Sequence, residues 1–155
     1  MDTLTVEERS RNMAAIRSRD TKPEIYLRKL LFSKGYRYRL NSRKVYGHPD
    51  LWLAKFNTAI FIHGCFWHRH PGCKFAYTPK SRVDFWETKF SRNILRDAEV
   101  KEHLAADGIR QLSVWECTVK KMKRIQPGEM KPWGRSWSFW GHVNVMRNYE
   151  RHQKR

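Results

Sequence analysis

The sequence predicts an α/β domain, a mixed central β-sheet with helices packed against its faces. Three observations predict it. Two short apolar runs, Leu51-Trp52-Leu53 and Thr58-Ala59-Ile60-Phe61-Ile62, are joined by a connection around Lys55-Phe56-Asn57 that is short enough for a hairpin. A long helical pattern follows from Ser81 to Ala106. After Gly108 comes a third apolar run, Leu112-Ser113-Val114-Trp115. Strands first, then a helix, then a further strand is the order of an α/β sandwich with a mixed sheet.

The remaining elements are read from local signals. A first helix is expected from roughly Thr5 to Arg17. A second begins at Asp20-Thr21-Lys22-Pro23-Glu24, where Thr21 and Glu24 have capping-box spacing and Pro23 falls in the first turn. Leu27, Leu30 and Leu31 then share a face, and Gly35 supplies the stop. Tyr36-Arg37-Tyr38-Arg39-Leu40 alternates with a period of two, as a half-exposed strand does. In the long helix Trp86, Phe90 and Ile94 follow at i+4, and Val100 and Leu104 form an adjacent apolar line. Beyond Val119, Gly, Pro and scattered Trp predict irregular structure. One domain is expected over residues 1–155, with a helical N-terminal segment at 1–19 and a basic extension at 120–155.

Composition narrows the function. Lys and Arg number 32 against 15 Asp and Glu, a net charge of +17, and 14% of the residues are aromatic. A surface so basic faces polyanions, and with this aromatic content nucleic acid is the expected partner. Charge alone does not separate an enzyme from a binding module. The 40% apolar content excludes wholesale disorder. No apolar run approaches the roughly 20 residues that span a bilayer. The start, Met1-Asp2-Thr3-Leu4-Thr5-Val6-Glu7-Glu8, lacks the basic and apolar stretches of a signal peptide, so a cytoplasmic setting is expected.

Four groups of residues could carry chemistry. Asp50 stands at the mouth of a hydrophobic strand, where a carboxylate is out of place unless it binds a hard cation such as Mg²⁺ or ends a Pro-Asp turn. His63, Cys65, His68, His70 and Cys73 crowd one loop. If the strands ending near Ile62 and Glu116 lie parallel, Cys117 joins that loop at the same sheet edge. Three thiolates and one imidazole fill a tetrahedral zinc shell and leave no position for water, so such a site is structural; three free thiols are the alternative. Asp97, three residues after Ile94, puts a carboxylate on the apolar face of its helix, where a histidine is a natural partner. A His–Asp pair is either a general base of fixed tautomer or a structural hydrogen bond, and spacing does not choose between His68 and His70. Phe66-Trp67 and Phe85-Trp86 are either core or a wedge that unstacks base pairs.

These residues carry a resemblance. Phe61-Ile62-His63-Gly64-Cys65-Phe66-Trp67-His68 resembles the signature of the very short patch repair (Vsr) mismatch endonucleases. Arg9-Ser10-Arg11-Asn12-Met13, Ala15-Ile16, Arg19-Asp20-Thr21 and Glu24 are similar to that family's N-terminal segment. Gly47-His48-Pro49-Asp50 resembles its metal-binding turn, Asp84-Phe85-Trp86 through Asp97 its long helix, and Val114-Trp115-Glu116-Cys117 its last core strand. Ile62 stands where a threonine is common, and Arg69 where a third histidine is often found.

The resemblance implies a restriction-endonuclease-like core and Mg²⁺-dependent nicking of one strand of duplex DNA at a T·G mismatch. It implies Asp50 and the Ile62 carbonyl as Mg²⁺ ligands, His68 as catalytic histidine with Asp97 as its partner, and His63 and Glu24 in support. It implies Cys65, His70, Cys73 and Cys117 as structural zinc ligands, and Phe66, Trp67 and Trp86 as the wedge in the DNA. The residues 1–19 would then touch DNA, the protein would act as a monomer at the bacterial nucleoid, and mismatch-repair proteins become candidate partners. Two other readings are kept: a zinc-stabilised DNA-binding protein without catalysis, and a restriction-type endonuclease that cuts paired DNA.

Overall fold

A computed structural model describes residues 5–17 and 19–124. The elements are α1 (Val6–Ala14), α2 (Lys22–Ser33), β1 (Arg39–Leu40), β2 (Leu51–Leu53), β3 (Thr58–His63), α3 (Val83–Ala106), β4 (Arg110–Trp115) and α4 (Glu116–Arg124), with one 3₁₀ turn at Ala54–Phe56. The four strands form one sheet in the order β1-β2-β3-β4. β1–β2 and β2–β3 are antiparallel, and β3–β4 is parallel. The mixed α/β sheet and the hairpin are as the sequence predicts, and the parallel β3–β4 pair meets the condition under which Cys117 reaches the loop.

Alternation along β3 explains the layers. Ile60 and Ile62 turn to one face, where Leu27 and Leu31 of α2 and Val119 and Met122 of α4 bury them with Leu51, Leu53, Leu112 and Val114. Ala59 and Phe61 turn to the other, against Val100 and Leu104 of α3. His63 continues the second set, so β3 delivers an imidazole to the α3 face at the C-terminal edge of the sheet. In register, His63 of β3 lies beside Trp115 of β4. Gly47 lets the chain before β2 pass close to α3: its φ is +79°, and a Cβ there would stand 2.6 Å from Val100 Cγ1.

Several expectations are corrected. The line of side chains that α3 turns inward is Trp86, Phe90, Asn93, Asp97, Val100 and Leu104, of which the four apolar ones are buried. Ile94 is 49% exposed. Each i+4 step overshoots a helical turn by about 40°, so two steps from Trp86 carry Ile94 off the line that steps of four and three maintain. Only Arg39–Leu40 of the Tyr36–Leu40 segment pairs as strand, because Tyr36 turns into the core. α1 ends at Ala14, and its capping box is Thr5 with Glu8. The chain after Val119 stays helical to Arg124, since Val119 and Met122, one turn apart, both bury against the core. The rest of the predicted extension, with residues 1–4 and Ser18, lies outside the described residues. No helix among the described residues is long and apolar enough to cross a membrane.

Candidate active site and metal centre

The crossover brings two clusters to one edge. The loop after β3 leaves through Gly64 and folds back on itself: the His68 N–H donates to the Gly64 carbonyl (3.1 Å) and the His70 N–H to the Cys65 carbonyl (3.1 Å). α3 clamps this loop from the side. Asn93 donates through Nδ2 to the Trp67 carbonyl at 2.8 Å. One turn on, Asp97 Oδ2 lies 2.6 Å from His68 Nδ1. With Asp97 ionised, His68 Nδ1–H donates and the tautomer is fixed, which leaves Nε2 as the basic nitrogen. Of the two histidines left open by spacing, His68 is the one that meets Asp97.

His63 stacks on His68, ring centroids 4.1 Å apart and planes 4° from parallel. Burial, with the charge of His68 adding to it and that of Asp97 opposing, drives the His63 pKa down to about 4. His63 is therefore neutral at neutral pH, and the stacked pair does not carry two charges there. His63, His68 and Asp97 lie close enough to share an ion. The short His68–Asp97 contact, however, points Nδ1 and the carboxylate at each other rather than at a common cation.

Asp50 reaches the same region from the start of β2. Its Oδ2 accepts the Ile62 N–H at 2.7 Å. Its carboxyl is held above the ordinary range, by burial first, with the Ile62 hydrogen bond opposing; the charge of Glu24 adds to the rise, and those of Arg28 and His68 oppose it. Ile62, whose N–H Asp50 accepts, precedes His63 in β3, and the His63 ring stacks on His68. A partly buried carboxylate at the end of a core strand is a ligand suited to a hard divalent cation.

Glu24 is buried in the first turn of α2. It accepts the Asp20 N–H (3.0 Å), the Thr21 hydroxyl (2.7 Å) and Arg28 Nη2–H (3.1 Å). The expected capping box is therefore rearranged: Thr21 makes no side-chain cap, and its hydroxyl fixes the carboxylate instead. Arg28 also pairs with Asp20. Sequence reading missed Arg28 and Asn93. Both had a signal, Arg28 four residues after Glu24 and Asn93 four before Asp97 on the same helix face.

On the far side of Trp115 lies the second cluster. Trp115 meets His63 edge-on at 5.3 Å and stacks on His70 at 4.2 Å. Cys65, His70, Cys73 and Cys117 have their ligand atoms within 4.8 Å of one another. Cys117, in the first turn of α4, has come to meet the loop as the topology required. His70 Nδ1 is 3.7 Å from Cys65 Sγ and 3.4 Å from Cys117 Sγ. A tetrahedral shell with metal–sulfur bonds of about 2.3 Å and metal–nitrogen bonds of about 2.0 Å has edges of about 3.5–3.8 Å, so this set fits a metal. Burial pushes the Cys65 thiol up to about 12, while the Phe75 backbone hydrogen bond leads in drawing Cys73 down.

Phe66, in the same loop, packs against α3. It contacts Trp67, Tyr77, Trp86 and Phe90 at centroid distances of 5.1–5.4 Å. Trp86 is buried behind it, while Phe66 and Trp67 are half-buried.

Comparison with known proteins follows the same residues. The sequence matches the family model described as DNA mismatch endonuclease Vsr over residues 1–74. It is 44% identical over 119 residues to the type II nicking enzyme V.NmeAIP of Neisseria meningitidis, an alignment covering 77% of this chain and 84% of that one. The chain belongs to the Vsr family. Other Vsr-family relatives agree. The type II nicking enzyme V.XorIIP of Xanthomonas oryzae is 40% identical over 125 residues, covering 81% of this chain and 91% of the relative. The DNA mismatch endonuclease Vsr of Escherichia coli is 38% identical over 117 residues, covering 76% and 74%. As a Vsr-family protein the chain is a DNA mismatch endonuclease, a hydrolase of phosphodiester bonds whose partner is DNA. Family membership sets aside the reading as a DNA-binding protein without catalysis.

Proposed function

We propose that this endonuclease nicks one strand of duplex DNA at a T·G mismatch, with Mg²⁺ as catalytic cation and Zn²⁺ as structural metal, in a single restriction-endonuclease-like domain acting as a monomer. The observation that carries the proposal is that Asp50 binds the Ile62 N–H, next in β3 to His63, whose ring stacks on His68 of the His68–Asp97 pair. Asp50 and the Ile62 carbonyl would hold Mg²⁺, which when bound supplies positive charge to the phosphate and the leaving oxygen. His68 Nε2 takes a proton from the attacking water, and Asp97 stabilises the imidazolium that forms. Neutral His63, stacked on His68, orients that ring without competing for the proton. Glu24, held in place by its three donors, adds a second carboxylate beside Asp50.

Cys65, His70, Cys73 and Cys117 would hold Zn²⁺ and tie the catalytic loop to α4, since four protein ligands leave no place for water. Phe66 and Trp67, backed by Trp86, form the wedge that enters the helix beside the mismatch. Residues 1–19 contribute phosphate contacts, and the net charge of +17 makes binding steeply salt-dependent. The test is incubation of T·G and T·A duplexes in varied flanking contexts with Mg²⁺. Nicking of one strand of the T·G duplex alone supports the proposal. No cleavage of any mismatched duplex refutes it, and strong cutting of fully paired DNA turns it toward a restriction-type enzyme.

A further inference from the structure

Arg69 stands between the histidine that meets Asp97 and the histidine of the thiol cluster, and neither assignment uses it. Its backbone is in the left-handed region, φ +52°. A non-glycine residue holds that conformation only where its surroundings fix it. The fixing contacts are all internal. Nη1–H donates to the Tyr77 carbonyl at 2.9 Å and Nη2–H to Thr78 Oγ1 at 3.0 Å. The guanidinium carbon lies 4.4 Å from the centre of the Phe90 ring. Each terminal nitrogen thus spends one N–H within the protein, which fixes where the guanidinium sits. What it joins is telling. Phe90 and Tyr77 flank Phe66 on two sides, each at 5.2 Å, and Arg69 bridges the segments that carry them.

We propose that Arg69 is a positioning residue for strand opening: it braces the Phe66–Trp67 pair between α3 and residues 77–78, so that the aromatic wedge enters the duplex as a rigid body. The inference rests on the wedge reading given above. A wedge that yields transfers little of its binding energy into unstacking; one braced on two sides pushes the base step apart. Arginine suits the task because one planar group can stack on a ring and donate in its own plane at the same time, which an ammonium group does not do.

The test measures single-turnover nicking of two T·G substrates, one with paired flanks and one in which the neighbouring pair is already opened by a second mismatch. A 2-aminopurine beside the mismatch in the paired substrate reports unstacking. Arg69→Ala is expected to slow nicking of the paired substrate about tenfold, less than the full worth of two charge-assisted hydrogen bonds because water replaces part of each, and to lower the fluorescence rise. The pre-opened substrate should be nicked at the native rate to within about twofold, because no prying remains to be done. Arg69→Lys should fall between, and Thr78→Val, which removes one acceptor and disturbs the loop least, should show the same pattern at about threefold. Zinc content equal to the native protein's confirms that the loop is intact. Equal losses on both substrates, or no loss on either, overturn the brace. If Trp67→Ala leaves the fluorescence rise unchanged, it is the wedge reading that fails, and the brace with it.

Discussion

Asp97→Asn removes one charge and almost no volume, which isolates the carboxylate's part in the reaction. The native contact is short, 2.6 Å between His68 Nδ1 and Asp97 Oδ2, and both side chains are about one-quarter exposed. A hydrogen bond to a charged group at such a site is worth about 1.5–3 kcal/mol, which converts to about 10- to 150-fold in rate if it is realised as His68 becomes an imidazolium. A second effect adds to it. The amide introduced by the substitution can donate to Nδ1 and select the other tautomer, placing the proton on Nε2 where the base is needed; in serine proteases that exchange costs about 10⁴-fold. The expected result is a loss of kcat between about 10² and 10⁴, with DNA affinity and zinc content unchanged. The assay is single-turnover nicking of a T·G duplex at saturating enzyme, with binding followed separately by anisotropy. A rate within about twofold of native would show that the pair is only a link between helix and loop, and the general-base assignment would be withdrawn.

Three further outcomes are expected. Cys117→Ser should lower bound zinc from about one per chain and lower the melting temperature, measured by elemental analysis and calorimetry; full zinc retention would exclude Cys117 as a ligand. His63 is 7% exposed, with a folded pKa of about 4 against 6.5 as its ordinary value. The unfolded chain therefore takes up this proton first, and about 3 kcal/mol of stability present above pH 6.5 is lost as pH falls toward 4; denaturant titrations of His63→Gln should lack that share of the fall. Gly47→Ala should cost roughly 2 kcal/mol, because a methyl group at positive φ meets the Val100 side chain, and an unchanged melting temperature would contradict the close packing there.

How much of this was legible beforehand depended on what each signal measures. The parallel crossover was legible only as a condition, since strand, long helix and strand leave one favoured connection if the strands run parallel, and that topology alone carried Cys117 across the whole length of α3 to Cys65 and Cys73. Asp97 was legible as a charge on an inward helix face, and its partner became clear only when the loop's turn placed His68 on that face. Ile94 was misread because i+4 steps drift around the helix, and the true line of four-and-three steps runs through polar Asn93. Thr21 and Glu24 had capping-box spacing, yet Arg28 and the Asp20 N–H drew Glu24 into a different network. Such competition between a local motif and a buried charge is decided by groups that sequence spacing does not bring together. The helix through Met122 was hidden by its basic surface, since only Val119 and Met122 mark its inner face.

The central claim is that Asp50 and His68 act on one scissile phosphate, and a double-mutant cycle tests it most directly. Asp50→Asn, His68→Ala and the double variant are compared in single-turnover nicking of a T·G duplex with Mg²⁺, each with DNA binding measured in parallel. Groups that act as a unit give losses far from additive, so each single variant should fall nearly to the rate of the double while still binding DNA. Losses that simply multiply, or full activity in either single variant, would contradict the account.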